Sequence, residues 1–560
     1  MNATLHHRGP DDQGVYSETG VALGHTRLSI IDLSPAGHQP MEFGDFVITF
    51  NGEIYNFKAL RDTLPGPFRS SSDTEVLLHL FARDGAACVD KLEGMFAFAI
   101  WDRRRRRLFA ARDRLGIKPL YYQATADGLR FASELKALVI DGHPPLDLTA
   151  LRDYFTYGYV PAPKSAYLGI AKLPAAHRLW WEQGRLSIER YWQPSAQIEY
   201  RDADVAEQAL DELLRKVVTD HTLSDVPVGV FLSGGLDSAT ITYYLQHPKT
   251  FTLGFDVAGR SEADAARAVA RHLGTEHHEA TALGVDLDAA LAAMPRLFDE
   301  PFSDSAAWSN LLISQAARRE VTVALSGEGG DELFCGYPRY WQSVGEGSRA
   351  ARALSAVLPP LSPFGQSMHR RARGGLEGYA ARFSQLTLPQ LPALIHPRLL
   401  ERDYDDLWFY RAHWRPELDP IQRMRWLDIH TNLAEGLLTK VDRSSMAHSL
   451  EVRPPLLDHR LVEFALKVDP RLLVDREASR GKLLLRRLMG PRLPAGHLDR
   501  PKSGFGLPVR RWVRQNPQLL TAASERLQRA AILRRPLPRD FRRTWTMLAL
   551  DRWLTSIGEA

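Results

Sequence analysis

The sequence predicts two domains of different α/β character, the first built on antiparallel strands and the second on a parallel sheet wrapped by helices, with a helical C-terminal extension. Three observations carry this expectation. At 560 residues the chain exceeds the ~250–300 residues over which a single core keeps growing. Between residues 20 and 140, apolar and polar positions alternate in short runs separated by Gly, Asp and Asn. Beyond residue 205, short apolar runs alternate instead with helical stretches.

Within the first part, "VALGHTRLSI", "FVITFNGEIYN", "MFAFAIWD", "LFAARD" and "GLRFASELKAL" read as hairpin-forming strands and "SDTEVLLHLFARDG" as a helix. The run of arginines at 103–107 lies between two strand patterns and has no interleaved aromatics, so it reads as a solvated hairpin tip rather than a nucleic-acid site. The polar, Pro-containing stretch 192–204, "WQPSAQIEYRDAD", is the candidate linker. After it, Leu210, Leu213, Leu214, Val217 and Val218 follow the spacing of an amphipathic helix. The strands "VGVFL", "TFTLGF" and "VTVALSG" then alternate with helical segments such as "SEADAARAVARHLG". From about residue 340 the chain reads mostly helical, with Arg-rich faces and Pro breaks.

Composition narrows the function classes. A content of 44% hydrophobic and 25% charged residues is ordinary for a folded chain, and a formal net charge of +4 is too small at this length to imply nucleic acid or membrane. The opening "MNATLHHRGPDDQG" has no apolar signal core and no window approaches ~18 apolar residues, so neither secretion nor membrane spanning is expected. Cys88 and Cys335 show no C-x-x-C spacing and suit a reducing cytoplasm. His277 and His278 are adjacent on a strand and point to opposite faces, so joint metal chelation is not expected.

The chemistry is carried by "PVGVFLSGGLDSATITYYL", residues 227–245, where an apolar strand ends in Ser233-Gly234-Gly235 and a helix follows. In a parallel sheet, ligands bind at the carboxyl ends of strands, where the next helix presents free N–H groups. Gly234 and Gly235 allow close approach of an anion, and the Ser233 and Ser238 hydroxyls add donors, so phosphate is the expected guest. Asp237 beside phosphate oxygens is repulsive unless a divalent cation intervenes, which implies Mg2+. The common G-K-[ST] nucleotide loop is excluded, because Gly481-Lys482 has no Ser or Thr after it.

These residues resemble a known family. "FLSGGLDS" is similar to the pyrophosphate loop of ATP pyrophosphatases that adenylate a carboxylate. With "ALSGEGGDELFCGY", "LLTKVDRSSMAHSLEVRPPLLDHRLVEFA" and "RPKSGFGLPVRRW", the chain resembles the glutamine-hydrolysing asparagine synthetases. "HRGPDDQG", "TRLSIID", "NGEIYN", "SSDTEV" and "RDRLGIKPLYY" extend the resemblance over nearly the whole chain. It implies an adenine nucleotide α-hydrolase-like domain over 205–560 that activates a carboxylate, with aspartate as the expected acceptor and, as alternatives, another biosynthetic carboxylate or a non-catalytic relative that kept the fold. By matched position, Leu232, Ser233, Gly234, Gly235, Asp237, Ser238, Leu253, Ser326 and Gly327 hold ATP, Asp237 and Asp331 hold Mg2+, and Glu328 and Lys502 are catalytic. Asp442, Arg443, Glu451 and Arg453 are left between acceptor binding and a buried ion-pair network.

The resemblance further implies that residues 1–195 form a class II glutamine amidotransferase domain, an αββα sandwich of the N-terminal-nucleophile type. In it Arg27 would bind the glutamine carboxylate, Glu53 and Asp73 its amino group, and Asn51 with Gly52 the tetrahedral oxygen. The family's nucleophile is an N-terminal cysteine, whereas this chain starts Met-Asn and its "MNATLHHRGPDD" aligns beyond the family's first strand. The expectation is an incomplete sheet and no glutamine hydrolysis by these 560 residues, through either an internal start or a loss of glutaminase in favour of free ammonia or another amine. Retention of Arg27, Asn51, Gly52, Glu53 and Asp73 favours the internal start. Expected partners are small molecules, namely the acceptor carboxylate, glutamine or ammonia, and ATP, with no nucleic acid and no membrane; a homodimer is admitted.

Overall fold

The computed structural model describes residues 1–255, 263–282, 286–342, 348–500, 509–537 and 543–559. Its first part is organised by a six-stranded antiparallel sheet in the spatial order Arg185–Arg190, His177–Glu182, Arg107–Arg112, Gly94–Asp102, Phe46–Ile54, Met41–Phe43. Phe46–Ile54 pairs with Gly94–Asp102 from Phe46↔Asp102 to Ile54↔Gly94. Because side chains alternate across a strand, this register sorts them into two cores. Ile48, Phe50, Phe96, Phe98 and Ile100 pack with Val76, Leu77, Leu80 and Phe81 of helix Asp73–Asp84. Val47, Ala97, Ala99 and Trp101 face the other way and meet Leu23, Tyr122 and Leu179. Ser72 caps that helix, its hydroxyl accepting from the Glu75 N–H, and Gly85 at φ 60° ends it. The 103–107 arginines lie at the hairpin tip between Gly94–Asp102 and Arg107–Arg112, exposed at Arg104, Arg105 and Arg106.

The second β layer of the sandwich is in two pieces. One is the hairpin Asp12–Glu18 with Val21–Arg27, the other the three-stranded sheet Gly128–Ala132, Tyr121–Thr125, Ile170–Lys172. A cavity runs between them, lined by Ala22, Gly24 and His25 from one piece and by Leu129, Phe131 and Ala132 from the other.

Residues 192–199 form neither helix nor strand. Helix Ala203–Asp220 then buries Leu210, Leu214, Val217 and Val218. The second domain is built on five parallel strands in the order Glu276–Ala282, Lys249–Phe255, Val228–Phe231, Val323–Leu325, Glu451–Arg453. From Val228–Phe231 the chain adds strands outward on one side, then crosses and continues on the other. The order therefore reverses between Val228–Phe231 and Val323–Leu325, which are in register from Val228↔Val323 to Val230↔Leu325. The loops leaving those two strands face each other across a topological switch point, the place where open α/β sheets bind ligands.

A continuous helix passes behind this point, α-helical over Pro420–Asp428, π-helical over Ile429–Leu437 and α-helical again over Leu438–Met446. Its last part, with strand Glu451–Arg453, joins the two domains through buried ion pairs. Arg8 binds Asp442 through two hydrogen bonds of 2.8 and 2.9 Å and Glu134 at 2.8 Å, and Glu134 also meets Arg443 at 2.8 Å. Lys118 meets Glu451 and Arg453 meets Glu53, both at 3.2 Å. The four residues left open by the sequence thus all belong to the interdomain network. No described helix is long and apolar enough to cross a membrane.

Candidate functional site

The Ser233 loop is locked by its own hydroxyls. Ser238 Oγ accepts from the Ser233 N–H at 3.2 Å and lies 3.1 Å from Ser233 Oγ, which accepts from the Gly235 N–H at 3.3 Å. Gly234 sits at φ +72°, and a Cβ there would lie 2.6 Å from Ala265 Cβ, so glycine is required by both backbone and neighbour. The exposed Gly235 leads into helix Leu236–Tyr243, whose first turn carries Asp237. Leu253, in strand Lys249–Phe255, and Leu232, the residue just after Val228–Phe231, are both buried, and the Thr252 hydroxyl donates to the Leu232 carbonyl.

The facing loop follows Val323–Leu325. Ser326 is buried, its N–H donating to the Arg453 carbonyl at 2.9 Å. Gly327 and Gly330 lie directly on Asp237, where added Cβ atoms would come within 3.0 and 2.4 Å of its side chain. This close stacking brings Asp331, in the first turn of the next helix, beside Asp237. Between the two carboxylates stands Lys482, with Nζ 2.5 Å from Asp237 Oδ2 and 2.6 Å from Asp331 Oδ1. Burial opposes charge on Lys482, but the two carboxylates outweigh it and hold its pKa above the ordinary lysine value. The Lys482 N–H donates to the Phe334 carbonyl at 2.9 Å, which ties the lysine to the helix that carries Asp331.

Glu328 lies in the same space; burial raises its pKa, and Lys440 is the principal opposing charge. Lys440 reaches Asp304 Oδ2 at 3.2 Å. Glu332 instead accepts from the Tyr337 hydroxyl at 2.7 Å, and burial pushes its pKa to about 7. Lys502 lies outside the described residues. In the sequence Lys482 serves only to exclude the G-K-[ST] loop, and neither Lys440 nor Asp304 stands out. Lys482 is 245 positions from Asp237, and its "GK" context carries no local signal of that partnership.

The sites expected in the first domain gather at the cavity between the two β pieces, about 390 Å³, which Arg27, Asn51, Gly52, Glu53 and Asp73 all line. Arg27 donates to the carbonyls of Ile31 and Ser34, each at 3.2 Å, and to that of Asp32. Asn51 Nδ2 is buried with no hydrogen-bond partner among the described residues. Gly52, at φ +150°, approaches Met95 O so closely that a Cβ would lie 2.1 Å from it. Burial raises the pKa of Glu53, and it pushes Asp73 up to about 7 although Asp73 accepts from the Ile54 N–H at 3.0 Å. Met446 and Glu451 of the second domain complete the wall. Both cysteines are buried, and neither lines this cavity.

Residues 209–555 match the family model described as asparagine synthase, and residues 1–192 match that of a glutamine amidotransferase domain. Asparagine synthetase [glutamine-hydrolyzing] 1 of Bacillus subtilis is 34% identical over 540 residues, covering 92% of this chain and 84% of its own. A putative asparagine synthetase [glutamine-hydrolyzing] of Mycobacterium bovis is 35% identical over 608 residues, covering 98% of this chain and 92% of its own. Amidase chry2 of Gibberella zeae is 27% identical over 583 residues, covering 90% and 84%. The chain therefore belongs to the asparagine synthase family of ATP-dependent amide-forming ligases, with a glutamine amidotransferase domain ahead of the synthase domain.

Proposed function

We propose that the protein activates the side-chain carboxylate of aspartate with ATP and passes ammonia to the activated acid, giving asparagine, AMP and pyrophosphate. A carboxylate oxygen attacks the α-phosphorus and the bond to the β-phosphate oxygen breaks, releasing pyrophosphate. Ammonia then attacks the acyl carbon, the bond to AMP breaks, and one proton is released. The observation that carries this reading is the convergence of Asp237, Asp331 and Lys482 at the switch point, beside the hydroxyl-locked Ser233 loop.

In this proposal Leu232, Ser233, Gly234, Gly235, Ser238, Leu253, Ser326 and Gly327 cradle ATP. The donors fit a polyphosphate: exposed Gly235, two serine hydroxyls and a helix start. Asp237 and Asp331 would hold Mg2+. Two carboxylate oxygens already converge on one ammonium at 2.5 and 2.6 Å, and two protein carboxylates with phosphate oxygens are the usual Mg2+ environment. Once bound, the ion neutralises charge on the phosphates. Lys482 joins Lys502 as a candidate for stabilising negative charge at the α-phosphate. Glu328 is the proposed acceptor of the proton released by the attacking ammonia.

Arg27, Asn51, Gly52, Glu53 and Asp73 would form the glutamine pocket, with the unpartnered Asn51 amide donating to the tetrahedral oxygen. Neither Cys88 nor Cys335 lines that pocket, and the proposal for these 560 residues is that the synthase half accepts ammonium as its nitrogen donor. A cytoplasmic location goes with this reading. A second reading takes another carboxylate as acceptor, as the relative named an amidase invites.

The test is pyrophosphate and asparagine release from Mg-ATP and aspartate, with ammonium or glutamine as nitrogen donor. The expected result is product with ammonium, none with glutamine, and none with either donor in Asp237→Ala. Failure of aspartate and ammonium to release pyrophosphate rejects aspartate activation, and asparagine formed from glutamine rejects the inactive glutaminase.

A further inference from the structure

Lys482 is fixed in place by its backbone as well as by its charge. It stands at φ 58° and ψ 34°, a left-handed conformation that few non-glycine residues adopt, immediately before helix Leu483–Met489. Its N–H donates to the Phe334 carbonyl and its own carbonyl accepts from the Arg486 N–H at 2.8 Å, so the backbone is held from both sides. Gly336 leaves the room the side chain needs, since a Cβ there would overlap both Lys482 Cε and Asp331 Oδ1. The side chain is 10% exposed and ends between Asp237 and Asp331, its ion-pair partners among the described residues.

Asp237 Oδ2 and Asp331 Oδ1 converge on that one ammonium, and Glu328 feels both carboxylates. Like charges gathered so closely repel unless a cation stands between them. Lys482 therefore keeps the two carboxylates together in the nucleotide-free protein. The same two oxygens cannot serve an ammonium and a divalent ion at once, because the two cations would then be in contact. A Lys482 that gave up both carboxylates would be a buried cation without a partner, which is costly unless another anion takes their place. The phosphates of a nucleotide, the proposed guest of the Ser233 loop, are such an anion.

We propose that Lys482 is the built-in counter-ion of the Asp237–Asp331 pair, holding the divalent-cation position until a polyphosphate draws its ammonium away, so that the pair accepts a metal ion only together with nucleotide. Lys482 thus has two stations. In the nucleotide-free protein it neutralises the carboxylates, and in the complex it neutralises phosphate. The exchange keeps every buried charge partnered at both stages, and it shuts free divalent ions out of a site whose carboxylates are already assembled. This inference rests on the reading of Asp237 and Asp331 as metal ligands and adds an order of binding to it.

The experiment measures Mn2+ uptake by the nucleotide-free full chain, read from the electron paramagnetic resonance signal of the ion left free. Lys482→Met and Lys482→Gln should each bind Mn2+ at least ~10-fold more tightly than the wild type, an ordinary size for coupling between competing occupants. Adding Asp237→Asn to either variant should abolish that gain. In thermal unfolding without nucleotide, Mn2+ should raise the Tm of both variants and leave that of the wild type unchanged, since a ligand stabilises only a state that binds it. The same melting curves show that the variants are folded. Wild-type uptake within ~2-fold of both variants overturns the inference, and its loss in Asp237→Asn would then leave the metal-ligand reading intact. Uptake by neither wild type nor variants also overturns the inference, because removing the lysine would not have opened the position. The metal-ligand reading is checked apart, through the affinity of the wild type for α,β-methylene-ATP with and without Mn2+. Equal affinity in the two conditions rejects that reading and the inference with it.

Discussion

Asp73 is the sharpest place to perturb the first domain, because the residue is only 5% exposed and burial pushes its pKa from the ordinary 3.8 up to about 7. A carboxyl whose pKa is raised on folding favours the folded state while it is protonated. Its contribution is complete below the unfolded value of 3.8 and is lost as pH rises through about 7. A rise of about three pH units, at 1.36 kcal/mol each, makes the cost of the ionised group about 4 kcal/mol above pH 7. Asp73→Asn imitates the protonated acid at every pH and keeps an oxygen for the Ile54 N–H. The variant should match the wild type near pH 4 and gain stability steadily toward pH 8, approaching that figure. Urea unfolding followed by tryptophan fluorescence at a series of pH values reads the difference directly. A variant-to-wild-type difference that does not change with pH would refute the argument, since Asp73 would then be ionised or solvated throughout. Glutamine supplies the reverse control. If its ammonium is received by Glu53 and Asp73, it should stabilise the wild type at pH 8 more than the Asp73→Asn protein.

Two further outcomes follow from the ion pairs. Asp442→Ala leaves the buried Arg8 guanidinium without its bidentate partner and should cost about 3–5 kcal/mol of unfolding free energy, whereas Arg8→Met with Asp442→Leu should recover most of it; a single-variant loss under ~1 kcal/mol, the range of an exposed pair, would contradict the buried network. Lys482→Met should lower the rate of pyrophosphate release by about 10²–10³-fold, the scale of removing one preorganised charge-stabilising donor; a rate within ~2-fold of wild type would remove Lys482 from the nucleotide site.

The amino-acid sequence by itself determined the layers and one loop. The two-residue period of "FVITFNGEI" and "GMFAFAIWD" encodes which side chains enter each core, because a strand sends neighbours to opposite faces whatever lies around it. Ser233-Gly234-Gly235-Leu236-Asp237-Ser238 is legible for the same reason: its hydroxyl bonds and its left-handed glycine are made within six positions. Tertiary structure alone decided what faces that loop. Lys482 meets Asp237 across 245 positions, and Lys440 meets Asp304 because two helices cross where Ser444 touches Ala307. Asp442, Arg443, Glu451 and Arg453 stand in one stretch that reads equally as substrate pocket or ion-pair network. Their ion-pair partners Arg8, Lys118, Glu134 and Glu53 arrive from the other domain. A charge is written locally, but its partner depends on how distant elements stack, and buried charges persist only where that stacking supplies one.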